Sequence, residues 1–139
     1  MAKWVDIGGK IENDWYQVRC QIDQDMNLKI YLDGLKNQEN HFCIDFEKIL
    51  FCKVIDEGWD LNPCEYWDDP KNIPMIHKAI LVELLDSHLK RIIRENHQAP
   101  FRHYQILGIN FGIDVISDSQ PIINKLRECI LRDELCRGI

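Results

Sequence analysis

Apolar and polar residues alternate with a period of two through the first half of the chain. Tyr16, Val18, Cys20 and Ile22 are separated by polar residues, and Leu28, Ile30 and Leu32 follow the same rule. This alternation is typical of strands that bury one face. It predicts strands over residues 4–11, 14–23, 28–32 and 41–56, the last broken near Glu47-Lys48. Together they form an antiparallel meander of about four strands.

The period changes to 3.6 at Pro74. One face of the resulting helix carries Leu81, Leu85, Leu89, Ile92 and Ile93, with Ile80 and Leu84 beside them. Most of the charged residues lie off that stripe, as in an amphipathic helix that packs on a core. Proline suits the first turn of a helix, and Gln98-Ala99-Pro100 ends one. The pattern predicts a long helix from Pro74 to about Asn96.

The remaining segments complete the predicted fold. Residues 103–109 and 111–117 are predicted to form two strands or one bulged strand, and residues 117–121 a turn. This turn caps a last helix that holds Ile122, Ile123, Leu126, Cys129, Ile130 and Leu135. The fold class is therefore α+β. We expect one domain over residues 1–139, with about five or six mostly antiparallel strands and with the long central helix and the C-terminal helix packed on one face of the sheet.

Charge and chain termini limit the function classes. The 139 residues carry a formal net charge of -6, which disfavours non-specific nucleic-acid binding and permits a basic protein partner. The N-terminus has no signal-peptide pattern, and no stretch approaches 18 uninterrupted apolar residues. We therefore expect a cytoplasmic protein that neither crosses a membrane nor binds nucleic acid.

Six cysteines do not indicate a disulfide framework here. Cys20, Cys43 and Cys52 lie on predicted strands, where a free cysteine behaves as a small apolar residue. The chain is long enough to fold without staples, and it contains no CxxC pair. We predict six reduced thiols and no bound metal; disulfides and a metal or catalytic role remain the alternatives.

Residues with catalytic potential are present but do not form a known motif. His77 and His88 stand three turns apart on the predicted helix, too far to bind one metal. His41, His103 and a cysteine would make a site only if they converged, which their spacing does not predict. Asp114, inside an apolar run, is either a buried catalytic carboxylate or, as we favour, an outward-facing or hydrogen-bonded structural one. We predict no catalytic, cofactor or metal site.

The segment Asp56–Asp69 differs from the rest of the chain. It reads DEGWDLNPCEYWDD, with six acidic residues, three aromatic rings, two of them Trp, and no Lys or Arg. Trp and Tyr are frequent interface anchors, and carboxylates steer a basic partner. The predicted partner-binding residues are Glu57, Trp59, Asp60, Glu65, Tyr66, Trp67, Asp68 and Asp69. The alternatives are that one or both tryptophans pack into the core while the acids are simply solvated, or that paired carboxylates catalyse a reaction.

The late part of the chain resembles a diffuse group of small uncharacterised bacterial proteins. The residues that carry the resemblance are His103-Tyr104-Gln105-Ile106, Ile113-Asp114-Val115-Ile116, Pro121 and the stretch from Phe46 to Gly58. It spans about Ile44 to Leu126. Proteins of this group have a sheet, a central helix and a late HY…DV…P segment, and some look like immunity proteins of polymorphic toxin systems. The resemblance implies a bacterial cytosolic protein that neutralises a toxin by binding it.

Two functions follow from these observations. The first is an immunity-type protein that covers the active surface of a cationic toxin, such as a nuclease. The alternative is a small-molecule-binding protein or enzyme with a pocket between sheet and helix, which uses a histidine or Asp114. That alternative requires at least two polar groups that converge in a cavity.

Overall fold

The computed structural model describes residues 4–56, 79–85, 87–96 and 100–126. In these residues the chain forms nine strands and one helix. They are β1 (Trp4–Asp6), β2 (Tyr16–Ile22), β3 (Asn27–Gly34), β4 (His41–Lys48), β5 (Phe51–Asp56), β6 (Leu81–Leu84), α1 (His88–Asn96), β7 (Arg102–Leu107), β8 (Phe111–Ser117) and β9 (Ile122–Lys125). Sheet A has the strand order β1-β6-β7-β8-β5, and sheet B has the order β2-β3-β4-β9. Every strand pair is antiparallel.

The two sheets pack face to face around one apolar core. The period-two pattern sends the apolar residues of each strand to the shared side. Sheet B contributes Val18, Leu28, Ile30, Leu32, Phe42, Ile44 and Phe46, and sheet A contributes Leu81, Tyr104, Ile106, Ile113 and Val115. The rings of Phe46 and Tyr104 bridge the sheets with centroids 5.4 Å apart. The described chain is therefore a β-sandwich.

The predicted long helix over residues 74–96 is wrong. Residues 81–84 form β6, which lies between β1 and β7, and the helix begins only at His88. Leu81 faces the core between the sheets, whereas Val82 and Leu84 are buried in a second cluster on the other face. A strand buried on both faces is apolar at consecutive positions, and over a short run this pattern is also that of a buried helix. Residues 74–78 lie outside the described part.

The predictions of a C-terminal helix that begins near Ile122 and of a single sheet are also wrong. Residues 122–125 form β9, which pairs with β4 through Ile44 and Ile123; residues 127–139 lie outside the described part. The predicted strand 41–56 is two strands in different sheets, separated at residues 49–50. The break lies close to its predicted place, where Glu47 has a left-handed backbone with φ 57°. The α+β fold with two helices packed on one sheet is therefore replaced by two sheets with one short helix in the described residues.

The sandwich has two ends, which differ in the connections they carry. The connections of residues 7–15, 35–40 and 108–110 lie at one end, which we call the loop end. Hydrogen bonds join them, from Leu35 N–H to the Trp15 carbonyl (2.9 Å) and from Ile109 N–H to the Tyr16 carbonyl (3.0 Å). The opposite end holds the β2–β3 turn, where Ile49 N–H donates to the Met26 carbonyl (2.9 Å).

The described part of the chain contains no helix of the length and hydropathy needed to cross a membrane.

Candidate functional site

The residues predicted from the acidic aromatic segment lie outside the described residues. They are Glu57, Trp59, Asp60, Glu65, Tyr66, Trp67, Asp68 and Asp69. The structure does describe the strands that come before and after this segment. Asp56 ends β5 opposite Phe111, and Leu81 opens β6 opposite Ile106. Because β7 and β8 are joined by the 108–110 turn, the chain leaves sheet A and re-enters it at the loop end.

A buried polar network lies on the outer face of sheet A, the face turned away from sheet B. Gln105 and Asp114 are cross-strand partners on β7 and β8, and His103 is two residues before Gln105. The Nε2 atom of His103 lies 2.8 Å from Asp114 Oδ1, and Gln105 Nε2 donates to the same oxygen at 3.1 Å. Antiparallel register therefore brings together a histidine and a carboxylate that are eleven residues apart.

Ser87 extends this network to the helix. Its Oγ lies 2.6 Å from His103 Nδ1 and accepts a hydrogen bond from Lys90 N–H at 3.1 Å, the bond of an N-cap residue. A hydroxyl that accepts at the helix is free to donate to Nδ1, and Nε2–H then donates to Asp114. We assign this tautomer of His103 because it satisfies all of these contacts. The side chain of His103 has 0% exposure, and Ser87 is likewise at 0%.

The order Ser87–His103–Asp114 is that of a nucleophile, a base and a group that orients the base. Two features distinguish this network, which we call the clamp, from an open catalytic site. The serine oxygen is held as the helix cap, and both Ser87 and His103 are closed to solvent. The network joins the N-terminus of α1 to β7 and β8. Asp114 is buried and hydrogen-bonded there, on the face of sheet A that is turned away from sheet B.

A cavity of about 390 Å³ lies beside the clamp, between α1 and sheet A. Its lining is apolar and consists of Leu50, Phe51, Ile93, Phe101 and Ile116. Ile116 is the cross-strand partner of His103, so the cavity and the clamp share one face of the sheet. His103 itself does not line the cavity.

A second polar centre, the Asp14 hub, orders the loop end. The carboxylate of Asp14 accepts hydrogen bonds from the backbone N–H groups of Trp15 (2.6 Å), Lys36 (2.9 Å) and Asn37 (3.1 Å) and from Asn40 Nδ2 (3.0 Å). Burial by itself raises the pKa of Asp14, but these bonds favour the charged form and bring the pKa below its ordinary value. The hub ties the 7–15 connection to the 35–40 connection.

A third polar cluster lies on the outer face of sheet B. Asp33 accepts from Arg19 Nε at 2.8 Å and contacts His41 Nδ1 at 2.9 Å. Burial acts to raise the pKa of Asp33, and the bonds and charges of Arg19 and His41 outweigh it and lower that pKa. His41 and His103 occupy outer faces of different sheets, so they do not form the joint site with a cysteine that sequence reasoning considered.

The cysteines that the structure describes are free. Cys43 is buried, Cys52 is half-buried and Cys20 is exposed. In the described ranges no group of three or more His, Cys, Asp or Glu residues is arranged to hold a metal ion. The prediction of six reduced thiols concerns the whole chain and stays a prediction.

Comparisons with protein-family models, with curated proteins and with solved structures gave no match for this chain. Two pairs of residues from the HY…DV pattern noted in the sequence are neighbours across β7 and β8. His103 and Asp114, the polar members of that pattern, contact each other in the clamp. Tyr104 and Val115, the residues that follow them, are cross-strand partners in the core.

Proposed function

We propose that this chain is a cytoplasmic, bacterial, immunity-type binding protein that neutralises a basic toxin domain by covering its surface. The observation that carries this proposal is the position of the negative charge. Residues 56–69 hold six of the 23 acidic side chains and none of the 17 Lys and Arg, so the 17 acids elsewhere balance the 17 basic residues. The whole formal charge of -6 therefore corresponds to one short segment.

The described strands on either side of that segment support this proposal. The strand before it, β5, ends at the loop end of the five-stranded sheet, and the strand after it, β6, begins there, with β8 and β7 between them. Connections carried at one end of a rigid β-sandwich are a common way to build a binding surface, because the frame limits the ordering cost on association. A localised negative charge on such a frame accelerates encounter with a basic surface.

The closed clamp also favours binding over catalysis. Ser87, His103 and Asp114 are the described residues that most resemble a catalytic set, and their geometry is explained by helix capping and by burial. The clamp therefore accounts for these residues without a reaction.

The test is the kinetics of association with the toxin domain encoded next to this chain's gene, prepared as an inactive variant. Asp60, Glu65, Asp68 and Asp69 are changed to Asn or Gln in one variant. We expect association to slow by at least about tenfold at low salt, because steering is electrostatic, and the difference to shrink at high salt. Dissociation changes less.

A matched control removes charge at the opposite end of the sandwich. Asp25 and Glu47 are exposed there, and Asp25→Asn with Glu47→Gln lowers the negative charge without touching residues 56–69. We expect this control to associate close to the wild-type rate. Absence of wild-type binding to the toxin domain, or equal slowing per charge in both variants, contradicts the proposal.

The cavity beside the clamp favours a second candidate function, the binding of a small apolar molecule. A volume of about 390 Å³ falls in the range of ligand pockets, and its lining is apolar. Leu50 is 49% exposed at its edge, so Leu50→Trp fills the mouth with little cost to the core. We expect an environment-sensitive dye such as anilinonaphthalene sulfonate to bind the wild type and to lose binding in Leu50→Trp. Equal dye binding by both proteins removes this candidate.

A further inference from the structure

We infer that Cys20 and Cys52 form a disulfide between the two sheets when the protein meets a hydroperoxide. This inference concerns a modification site and does not depend on the proposed function. Both residues lie on edge strands, Cys20 on β2 of sheet B and Cys52 on β5 of sheet A. Both are free cysteines in the structure, so the disulfide is a reversible addition to the reduced fold.

The two edge strands lie on the same side of the sandwich. The ring contact between Phe46 and Tyr104 places β4 over β7. Counted from this pair, β2 is the second strand along in sheet B, and β5 is the second strand along in sheet A. The hydrogen bond from Ile109 N–H, in the β7–β8 connection, to the Tyr16 carbonyl (3.0 Å) shows that β2 lies toward β8, beyond which comes β5. The strands β2 and β5 therefore face each other across the core.

Both cysteines point into the space between the sheets. Side chains alternate along a strand, so Cys20 shares the face of β2 that buries Val18. Cys52 is the cross-strand partner of Val115, a core residue, and it packs against the same core cluster. Cysteines on the inner faces of two sheets are also the arrangement that carries the inter-sheet disulfide of antibody domains.

Cys52 lies near enough to Cys20 to affect its ionisation. Burial, the larger cause, and the negative charge that Cys52 carries when ionised together raise the pKa of Cys20 to about 11. Like charges act in this way only over short distances inside a protein. The Cys20 thiolate is therefore scarce at neutral pH, and its oxidation requires sustained exposure to the oxidant.

The disulfide joins the half of β2 that has no other tie to sheet A among the described residues. Asn110 ties the loop-end half, because its side-chain amide accepts from Val18 N–H at 2.9 Å and donates to the Val18 carbonyl at 3.1 Å. In the other half Cys20 is exposed and Ile22 is 48% exposed, so a small oxidant reaches the thiol from solvent. An open strand edge is prone to pair with other chains, and a bond to β5 fixes this edge in place.

The reaction balances with the hydroperoxide as its only oxidant. The Cys20 thiolate attacks one oxygen of hydrogen peroxide, keeps that oxygen as a sulfenic acid and releases hydroxide, which takes up a proton. The Cys52 sulfur then attacks the Cys20 sulfur, and the sulfenic oxygen leaves as water with the proton of the Cys52 thiol. Two thiols become one disulfide, and one peroxide becomes two waters. A dithiol reductant reverses the change by thiol–disulfide exchange.

The experiment treats the reduced full chain with excess hydrogen peroxide, blocks the remaining thiols and maps the protein by proteolysis and mass spectrometry without reductant. We expect the main cross-link to join the peptides of Cys20 and Cys52, lighter by two hydrogen atoms than their sum, and to disappear with dithiothreitol. The thermal midpoint of the oxidised protein should rise by at least about 5 °C over the reduced one, because the cross-link restricts the unfolded chain.

Three variants locate the effect. Cys20→Ser and Cys52→Ser should each lose the cross-link and the rise in the midpoint on oxidation. Cys43→Ser is the matched control and should keep both, since Cys43 precedes the core residue Ile44 on β4 and lies on the other face of sheet B. Each variant is compared with its own reduced form, so that a change in its basal stability does not enter the result.

Three results overturn the inference. The first is an oxidised protein in which Cys20 pairs with another cysteine or carries only sulfinic or sulfonic acid. The second is a cross-link between two chains, seen as a dimer on a non-reducing gel. The third is a Cys20–Cys52 cross-link that leaves the thermal midpoint unchanged or lowers it, since the sheets would then have to be strained to close. Should Cys52→Ser fail to fold, Cys20→Ser decides, because Cys20 is exposed.

Discussion

Removal of the Asp114 carboxylate tests whether Ser87, His103 and Asp114 form one connected clamp. Asp114 Oδ1 accepts from both His103 Nε2 (2.8 Å) and Gln105 Nε2 (3.1 Å). Asp114→Ala takes that acceptor from two buried donors and leaves a small void. Each buried donor that loses its partner costs about 1–3 kcal/mol, so we expect the loss of both bonds to lower the free energy of unfolding by about 2–6 kcal/mol.

The assay is equilibrium unfolding in urea, followed by tryptophan fluorescence, on a short series of variants. Asp114→Asn keeps an oxygen at the Oδ1 position and both hydrogen bonds, so we expect it to cost less than Asp114→Ala. Ser87→Ala removes the helix cap, worth about 0.5–2 kcal/mol, together with the hydroxyl bound to His103. In the double variant, each substitution acts on a clamp that the other has already broken. We therefore expect the loss in the free energy of unfolding to be smaller than the sum of the two single losses by at least about 0.5 kcal/mol.

Two results would refute this reasoning. A cost of Asp114→Ala below about 1 kcal/mol would mean that water or other groups satisfy the two donors. Strict additivity of Ser87→Ala and Asp114→Ala would mean that the helix cap and the histidine–aspartate pair act separately.

Three further outcomes follow from other parts of the fold. Gly34→Ala should lower the free energy of unfolding by more than about 2 kcal/mol, because a Cβ atom there meets the Asp14 carboxylate, Asn40 Cβ and the Asn37 carbonyl at 2.6–2.9 Å; a melt unchanged from wild type contradicts this. Asp14 and Asp33 have pKa values below their unfolded ones. The stability that they contribute is therefore present above the unfolded pKa of about 4 and is lost as the pH falls through the folded values. Chemical unfolding between pH 7 and pH 3 should show a smaller loss of stability for Asp33→Asn than for the wild type. Leu89→Ala should cost about 2–5 kcal/mol and Leu85→Ala much less, since Leu89 is 8% exposed and Leu85 is 42% exposed; equal urea midpoints would contradict this difference in burial.

The short strands with one buried face were predictable because their pattern is local. Tyr16, Val18, Leu28, Ile30 and Leu32 alternate with polar residues, and each is buried in the sandwich core. Alternation reports which side of a strand faces the core, whatever the strand pairs with. It could not show that β4 and β5 belong to different sheets, since pairing partners lie far apart in the chain.

The errors arose where burial is two-sided or where pairing is distant. Leu81, Val82 and Leu84 form a strand buried on both faces, and their run of apolar residues is shared by buried helices. Ile122 and Ile123 have helical spacing with Leu126, but their backbone pairs with β4, so the sheet decided their conformation. A segment with helical spacing still forms a strand when its backbone can pair with an edge strand of a sheet.

The acidic segment over residues 56–69 and the alternating apolar positions of β2 and β3 can be read from the chain alone. The contact between Asp114 and His103 and the two connections held by Asp14 follow only from the three-dimensional arrangement. The same is true of the exposed position of Trp15 beside Leu35. The physical reason is the same in each case. A hydrophobic period is set by neighbours a few residues away, whereas a polar contact depends on the register of strands and loops that the chain brings together from a distance.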